Sequence, residues 1–505
     1  MKKMLLFAIF SSLMMTACAS TEKNNSLNVT SSKSVYDLNF DSSKYTVESK
    51  TINGITIKYR SYENIVYVSN PVDTKYQILN FYVPEDYFSG KTINGFTKDS
   101  APIFLPNGVG GYMPSEPIKV GVHPYTKESI IDSSFYALSK GFIVATPGLR
   151  GRVNKDESGT YTGKAPASIV DYKAAVRYLH FNDKAMPGDA NKIISNGTSA
   201  GGALSVLLGA TADNKDYEPY LNEIGAANAS DKIFAVSAYC PITNLDHADM
   251  AYEWQFNNIF DYRKLQIDME TDYKISRMYF VEGTMNNKEI EVSKQLKQLF
   301  PSYVNSLNLK DKDGNSLSLD ENGNGSFKEY YKSIIIASAQ NALDKGTDIS
   351  KYDWITIKNN KVVSIDFDKY VKHVGRMKVA PAFDGLSLEK PENDEFGTSN
   401  LAAQHFTDFS FKNSLAKGNI ADTTLVKMMN PMSYIENSKN NLPKYWRIRH
   451  GEIDSDTSLA ISAILVAKLQ NKNYVVDYAA PWATPHSGDY DLEELFTWIK
   501  TITSK

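Results

Sequence analysis

The stretch KIISNGTSAGGALSVLLGA, residues 192–210, places a short apolar run, a glycine-rich turn and a helical pattern in direct succession. Its centre, GTSAG at 197–201, has the G-x-S-x-G spacing of a nucleophile elbow. In such a turn the serine occupies a strained position between strand and helix, and a side chain at either glycine would collide with neighbouring backbone. The order strand, elbow, helix therefore predicts that Ser199 is a nucleophile held above a sheet.

Strand-like runs follow one another along much of the chain, and helical patterns separate several of them. They are YQILNFYVP (76–84), PIFLP (102–106), FIVATP (142–147), KIISN (192–196), FAVSAYCP (234–241), YWRIR (445–449) and YVVDYAA (474–480). Strands that alternate with amphipathic helices are typical of a mostly parallel α/β sheet with helices on both faces. Ahead of them, an Asn53-Gly54 pair between alternating apolar residues predicts an antiparallel hairpin.

Two of the helical patterns have a clear apolar face. The segment 168–181 places Ile169, Tyr172, Val176 and Leu179 on one side, and the segment 457–470 does the same with Leu459, Ala463, Val466 and Leu469. Both segments are therefore predicted to be amphipathic helices.

The alternation fails between residues 240 and 445. We therefore predict a core formed by residues 45–244 and 441–505, interrupted by an inserted domain at 245–440. Such an insertion is expected to act as a lid or cap over the carboxyl ends of the strands, where the loops of a parallel sheet carry function.

The chain begins with a pattern typical of a targeting segment. Lys2 and Lys3 precede an apolar run too short to cross a membrane, and small residues then lead to Cys18. This pattern resembles a bacterial lipoprotein signal, which implies a signal at residues 1–18, lipidation of Cys18 and a membrane-anchored location in the cell envelope. The alternative is an ordinary secretory signal with an incidental cysteine. Residues 19–44, rich in Ser, Asn, Thr and Lys, are predicted to be a flexible tether.

Composition excludes several partner classes. With 42% hydrophobic and 22% charged residues and a net charge of −3, the chain resembles an ordinary globular protein and lacks the basic character of nucleic-acid binding.

The only cysteine besides Cys18 is Cys240, so no disulfide can form inside the mature domain, and Cys240 is expected to be a buried, inert thiol. The acidic DKDGN turn lacks the further ligands of a calcium loop, and no metal is expected.

A nucleophilic serine needs a histidine base, and one histidine has the required position. In α/β-hydrolases the chain order is Ser, then Asp or Glu, then His. His486 follows the last strand and precedes the final helix, as this order requires. The others precede the serine, fall in the insertion or precede the acids: His123, His180, His247, His373, His405 and His450. The chain is therefore predicted to have the α/β-hydrolase fold.

The acid is expected in the loop after YWRIR, which reads HGEIDSDTSLA at 450–460. Its H-G-x-x-D spacing assigns Asp454 as the carboxylate that orients His486. Glu452 is a weaker alternative, because it comes two residues too early. Asp456 has two equal explanations from spacing alone: it caps the following helix, or it faces the same cavity as Asp454 and meets the substrate.

Oxyanion donors are expected from two places. The N–H of Ala200 follows the nucleophile, and the glycine-rich loop after PIFLP offers the N–H groups of Gly108, Val109 and Gly110. A merely flexible turn is the alternative for that loop.

Four segments together resemble the bacterial tannases, which are tannin acylhydrolases of the α/β-hydrolase fold. These are NGTSAGGALS, CPITNLDHADMAYEW (240–254), HGEIDSDTSL and PHSGDYD, and the resemblance extends over residues 45–505. It implies hydrolysis of galloyl esters by Ser199, Asp454 and His486 through an acyl-enzyme. It also implies that Lys378, Glu392 and Asp456 bind the galloyl group. For Asp456, the resemblance therefore favours contact with the substrate over the helix cap.

The resemblance implies small galloyl esters and tannins as substrates, no cofactor and a monomeric enzyme. A feruloyl or other phenolic-acid esterase would use the same triad with a different pocket. A serine peptidase of the prolyl-oligopeptidase type shares H-G-x-x-D but normally carries a large N-terminal propeller of repeats, which the sequence lacks. A surface lipoprotein built on an inactive hydrolase scaffold is disfavoured by the complete, correctly ordered triad.

Overall fold

The computed structural model describes residues 35–122, 129–270, 275–436 and 442–504. The predicted signal at 1–18, its Cys18 and most of the predicted tether lie outside these residues. Within the described part of the chain, no helix has both the length and the apolar character needed to cross a membrane.

A nine-stranded sheet organises the chain, with strand order β1-β2-β3-β5-β4-β6-β7-β12-β13. Its strands are β1 (Thr46–Ile52), β2 (Ile55–Val66), β3 (Ile78–Pro84), β4 (Pro102–Pro106), β5 (Ile143–Pro147), β6 (Asp189–Thr198), β7 (Ala235–Tyr239), β12 (Tyr445–Arg449) and β13 (Val475–Ala479). The first three pair antiparallel, with β1 and β2 joined by the Asn53-Gly54 turn, and the remaining six are parallel. This is the predicted α/β-hydrolase architecture.

Helices flank this sheet. Those connecting or following its strands are α1 (Ser133–Ser139), α2 (Ala167–Phe181), α3 (Ala200–Ala210), α4 (Glu218–Glu223), α13 (Leu459–Asn471) and α14 (Leu492–Thr503). The predicted helices at 168–181 and 457–470 are thus confirmed as α2 and α13.

Burial in both helices extends beyond the predicted apolar face. Residues Ala167–Leu179 of α2 and Leu459–Leu469 of α13 are buried on every side. For α13 the reason is that helices from the segment between β7 and β12 pack on the side facing away from the sheet. Charged residues on these helices are therefore paired: Lys173 Nζ of α2 lies 2.7 Å from Asp231, and both side chains are fully buried.

The segment between β7 and β12 contains eight helices and two small hairpins among its described residues. The helices are α5 (Leu245–Phe256), α6 (Asn287–Ser306), α7 (Ser326–Asp344), α8 (Phe367–Val374), α9 (Pro391–Glu395), α10 (Asp408–Lys412), α11 (Thr423–Met428) and α12 (Met432–Ile435). The hairpins are β8 (Asp261–Met269) with β9 (Ile275–Thr284), and β10 (Ile355–Lys358) with β11 (Lys361–Ile365). Its buried aromatic residues belong to the same apolar core as the sheet.

Candidate active site

Ser199 occupies the sharp turn between β6, which ends at Thr198, and α3, which begins at Ala200. Its φ of 60° and ψ of −122° are strained for a residue with a side chain. Its N–H donates to Tyr239 O at 3.0 Å, which ties the turn to the end of β7. A Cβ on Gly201 would lie 2.5 Å from Asn107 Oδ1, so the glycine is required by close packing, as the elbow pattern predicts.

The glycine-rich loop after β4 lies directly against this turn. Gly201 N–H donates to Val109 O at 3.0 Å, and Val109 N–H donates to Asn107 Oδ1 at 3.2 Å. The Val109 N–H therefore already has an acceptor, and its predicted role as an oxyanion donor would require this hydrogen bond to break. Gly108, Gly110 and Ala200 remain predicted donors.

Asn107 organises the loop, and sequence reasoning missed it. Its Nδ2 donates to Gly201 O at 3.0 Å, to Asn196 O at 3.2 Å and to Ser205 Oγ at 3.2 Å. One buried amide thus holds the end of β6, the first turn of α3 and the loop together. In the sequence, the only sign of this role is that a polar residue directly follows the apolar strand PIFLP.

Asp454 and His486 form a buried pair on the loops after β12 and β13. Asp454 Oδ2 lies 2.8 Å from His486 Nδ1. Asp454 Oδ1 accepts the N–H groups of Asp456 at 2.8 Å and Thr457 at 3.2 Å. Burial alone would raise the pKa of Asp454, but the two histidines beside it and these hydrogen bonds lower that pKa to about 2. The carboxylate is therefore ionised and fixed in position.

His450 is a second imidazole on Asp454 that the sequence did not reveal. Its Nε2 lies 3.4 Å from Asp454 Oδ2, and its Nδ1 lies 2.9 Å from Ser462 Oγ. Complete burial lowers the pKa of His450, which disfavours the charged form of the ring beside the carboxylate.

The other residues of the H-G-x-x-D motif join the loop after β12 to the loop after β13. Gly451 packs so closely against Thr484 O that a Cβ would collide with it, and Ile453 N–H donates to the same oxygen at 3.2 Å. Glu452 turns away and accepts the N–H of Ala483 at 3.1 Å. Burial raises the pKa of Glu452 to about 7. The structure thus pairs His486 with Asp454 and not with Glu452.

Asp456 contacts a lysine and does not cap the helix. The N-cap of α13 is Ser458, whose hydroxyl accepts the N–H of Ala460. Asp456 Oδ1 instead accepts from Lys378 Nζ at 3.0 Å and lies 3.9 Å from His486 Nε2. Of its two explanations, the helix cap is excluded, and the carboxylate lies beside His486 and Lys378.

Lys378 belongs to the segment between β7 and β12 and reaches Asp456 from there. The Tyr252 hydroxyl fixes it: this oxygen accepts the Lys378 N–H at 3.0 Å and donates to Ser455 O at 2.9 Å. The Lys378 ammonium also lies 4.1 Å from the centre of the Phe383 ring. Tyr252, which sequence reasoning did not single out, therefore connects the lysine to the loop that carries both aspartates.

Glu392 is buried at the start of α9, close enough to Lys378 and Asp456 to interact electrostatically with both. Burial raises the pKa of Glu392, and Lys378 partly opposes this effect. The three predicted substrate-binding residues therefore lie near one another, with Asp456 beside His486.

The environment of His486 Nε2 is acidic. Cys240 Sγ and Asp456 Oδ1 each lie 3.9 Å from this nitrogen. Burial would lower the pKa of His486, but the charges of Asp454, Cys240 and Asp456 together hold it well above its ordinary value. Among the hydrogen bonds of the residues that the structure describes, none joins Ser199 Oγ to His486.

Comparisons with known proteins show which proteins this chain is similar to. Residues 128–278 match the BD-FAE family model. The crystal structure of the Fusobacterium nucleatum tannase has 52% sequence identity and a TM-score of 0.88, covering 93% of this chain and 100% of that one. The tannase from Lactobacillus plantarum has 44% identity and a TM-score of 0.88, covering 92% and 99%. No curated protein matches the sequence.

The fold and the site define a carboxylic ester hydrolase of the α/β-hydrolase type. Because relatives with 52% and 44% identity match over nearly the whole chain, it belongs to the tannase family.

We expect the substitution Asp456→Asn to lower the pKa of His486, because it removes a negative charge 3.9 Å from Nε2. An NMR pH titration of the imidazole measures this shift. Glu452→Gln is the matched control: this acid lies on the same loop but bonds to Ala483 N–H. Equal titration of His486 in the parent and in Asp456→Asn would contradict the assigned electrostatics.

Proposed function

We propose that this protein hydrolyses galloyl esters to gallic acid and an alcohol, with Ser199 as nucleophile and His486 as base. The Asp454–His486 pair at 2.8 Å, next to the strained Ser199 turn and to the Lys378–Asp456 pair, carries the proposal. The related Lactobacillus plantarum tannin acyl hydrolase has been crystallised with ethyl gallate and with 3,4-dihydroxybenzoate.

The reaction has two halves. Ser199 Oγ attacks the ester carbonyl carbon while His486 Nε2 accepts the hydroxyl proton, and the same proton then passes to the departing alcohol. Water attacks the resulting galloyl-Ser199 ester, with His486 again as base, and gallic acid leaves. The Ser199–His486 hydrogen bond forms as substrate binds, since such contacts are often long in free enzymes.

Backbone N–H groups stabilise the negative charge that develops on the carbonyl oxygen. Ala200 at the start of α3 is one donor, and Gly108 or Gly110 on the neighbouring loop supplies the other. The Asn107 amide holds this loop against α3, so both donors are in place before substrate binds.

The galloyl ring is recognised through its three adjacent hydroxyl groups. Lys378 donates hydrogen bonds, while Asp456 and Glu392 accept them. Glu392, whose pKa is raised by burial, also donates when it is protonated. A ring that lacks these hydroxyls leaves buried charges unpaired, which disfavours simpler benzoyl esters. The segment at 245–440 acts as the lid that brings Lys378 and Glu392 to this ring.

Replacement of Ser199 by alanine is expected to reduce methyl gallate hydrolysis by at least about a thousandfold, because the nucleophile is removed. Steady-state kinetics measures the loss, and a fluorophosphonate probe should label the parent at Ser199 only. Cys240→Ala is the matched control for the other nucleophilic side chain near His486 and should retain activity. Undiminished hydrolysis by Ser199→Ala would disprove the mechanism.

The variant Lys378→Ala should lose preference for galloyl over mono-hydroxybenzoyl esters. We expect kcat/KM for the galloyl ester to fall by roughly 10- to 100-fold, since a hydrogen bond to a charged group contributes about 1.5–3 kcal/mol. A panel of galloyl, protocatechuoyl, feruloyl and mono-hydroxybenzoyl methyl esters measures the change. Lys369→Ala, a half-exposed lysine paired with Asp353, is the control. An unchanged preference would favour a general phenolic-acid esterase.

We further propose that the enzyme is a monomeric lipoprotein of the cell envelope, anchored through Cys18. Lys2, Lys3, the apolar run and the small residues before Cys18 support the anchor. Mass analysis of the mature N-terminus should find a lipidated Cys18, and Cys18→Ser should release the protein from the membrane fraction. An unmodified N-terminus beyond residue 18 would rule the anchor out.

A further inference from the structure

Cys240 has a position that the hydrolytic mechanism does not use. The sequence predicts an inert thiol, and the side chain is indeed buried. Its sulfur nevertheless lies 3.9 Å from His486 Nε2, the nitrogen that serves as base in the proposed reaction. Because β6, β7 and β12 pair in parallel, Cys240 follows Tyr239 in the same row as Ser199 and His450, and this brings the thiol to the catalytic edge of the sheet.

Sulfur, nitrogen and oxygen donors converge on this point. Cys240, Asp454 and His486 each offer a ligand atom within 4.8 Å of the others. Asp456 Oδ1 adds a second carboxylate oxygen 3.9 Å from His486 Nε2. Thiolate and imidazole together select soft or borderline cations such as Zn²⁺ and Cd²⁺ over Mg²⁺ and Ca²⁺, which prefer all-oxygen sites.

The distances fit a bound cation. With Zn–S near 2.3 Å and Zn–N near 2.0–2.1 Å, a tetrahedral site separates sulfur from nitrogen by about 3.6 Å. The observed 3.9 Å needs only a small movement, or a larger cation such as Cd²⁺. A cation can enter past the partly exposed side chains of His486 and Asp456, so burial of the thiol does not close the site.

The second nitrogen of the imidazole is already arranged as in metal sites. Asp454 Oδ2 accepts from His486 Nδ1 at 2.8 Å, so Nε2 is the ring nitrogen that lies towards Cys240 and Asp456. Metal-binding histidines characteristically bond a carboxylate through the other ring nitrogen, because this fixes the tautomer and strengthens the ligand. The feature that prepares His486 as a base thus also prepares it as a ligand.

We infer that Cys240 Sγ and His486 Nε2, with Asp456 beside them, bind a soft divalent cation such as Zn²⁺ or Cd²⁺, and that this cation inhibits the enzyme. On binding, the thiol proton and the proton that the imidazolium carries on Nε2 are both released to solvent, and the metal forms bonds to sulfur and to Nε2. The base can then no longer accept the Ser199 proton. Asp456, drawn towards the metal, is also removed from Lys378, so galloyl recognition is lost together with catalysis.

Cadmium titration of the full-length protein tests this inference, with the ultraviolet thiolate-to-cadmium absorption and methyl gallate hydrolysis as separate readouts. The parent should show the absorption at one cadmium per chain, together with loss of activity. Cys240→Ser should lose the absorption and need at least about tenfold more cadmium for inhibition. Cys18→Ser, the matched control for the other cysteine, should behave as the parent does. Mg²⁺ should leave activity unchanged.

Two further variants distinguish failure of the metal site from failure of the proposed function. The activity readout rests on the proposed function, whereas the absorption readout does not. Ser199→Ala should keep the cadmium absorption although it is inactive, whereas His486→Gln should weaken cadmium binding at least about tenfold although it keeps the thiol. Cys240→Ala, with basal activity as the check of folding, repeats the test with a second side chain. Equal cadmium sensitivity in the parent and both Cys240 variants, or cadmium binding unaffected by His486→Gln, would overturn the inference. The comparison between variants also removes any contribution from cadmium bound by gallate itself.

Discussion

The parallel pairing of β6, β7, β12 and β13 is the constraint on which the site depends. In register, Thr198 lies beside Tyr239, Tyr239 beside Arg449, and Arg449 beside Ala479. The four strands therefore end in one row, and the loops that follow them carry Ser199, Cys240, Asp454 and His486 to a common edge. Functional groups separated by almost three hundred residues along the chain meet because backbone hydrogen bonds align the strands that precede them.

A second set of contacts joins the segment between β7 and β12 to this edge. The Tyr252 hydroxyl bonds both the backbone of Lys378 and the carbonyl of Ser455. Nearby, the buried Arg376 guanidinium pairs with Glu253 and donates to Lys378 O at 3.0 Å. The loop that carries Asp454 and Asp456 is therefore tied to the backbone of Lys378, and a shift of that loop would move all three side chains.

Two carboxylates two residues apart have different roles because their partners differ. Asp454 is enclosed by His486, His450 and backbone N–H groups, so both of its carboxylate oxygens have partners. Its negative charge orients the His486 ring and favours the protonated form of that ring. Asp456 is paired with Lys378. In the proposals above, a substrate hydroxyl or a cation takes the place of Lys378 as its partner. The acidic surroundings that favour an imidazolium during catalysis are also those that favour a soft metal ion at Nε2.

The sequence by itself determined the fold, the elbow and the order of Ser199, Asp454 and His486, because these follow from local patterns: apolar runs, glycines at close approaches, and motifs at strand ends. Tertiary structure alone decided the features that depend on distant partners. Spacing could not show whether Asp456 caps a helix or faces a ligand. The structure shows instead that Asp456 pairs with Lys378, which is distant in the sequence. Nor could spacing show that Asn107 occupies the Val109 N–H, that His450 supports Asp454, or that α13 is buried on all sides. Cys240 was predicted to be a buried thiol, but its place beside His486 depends on the register of the sheet, which no local segment contains.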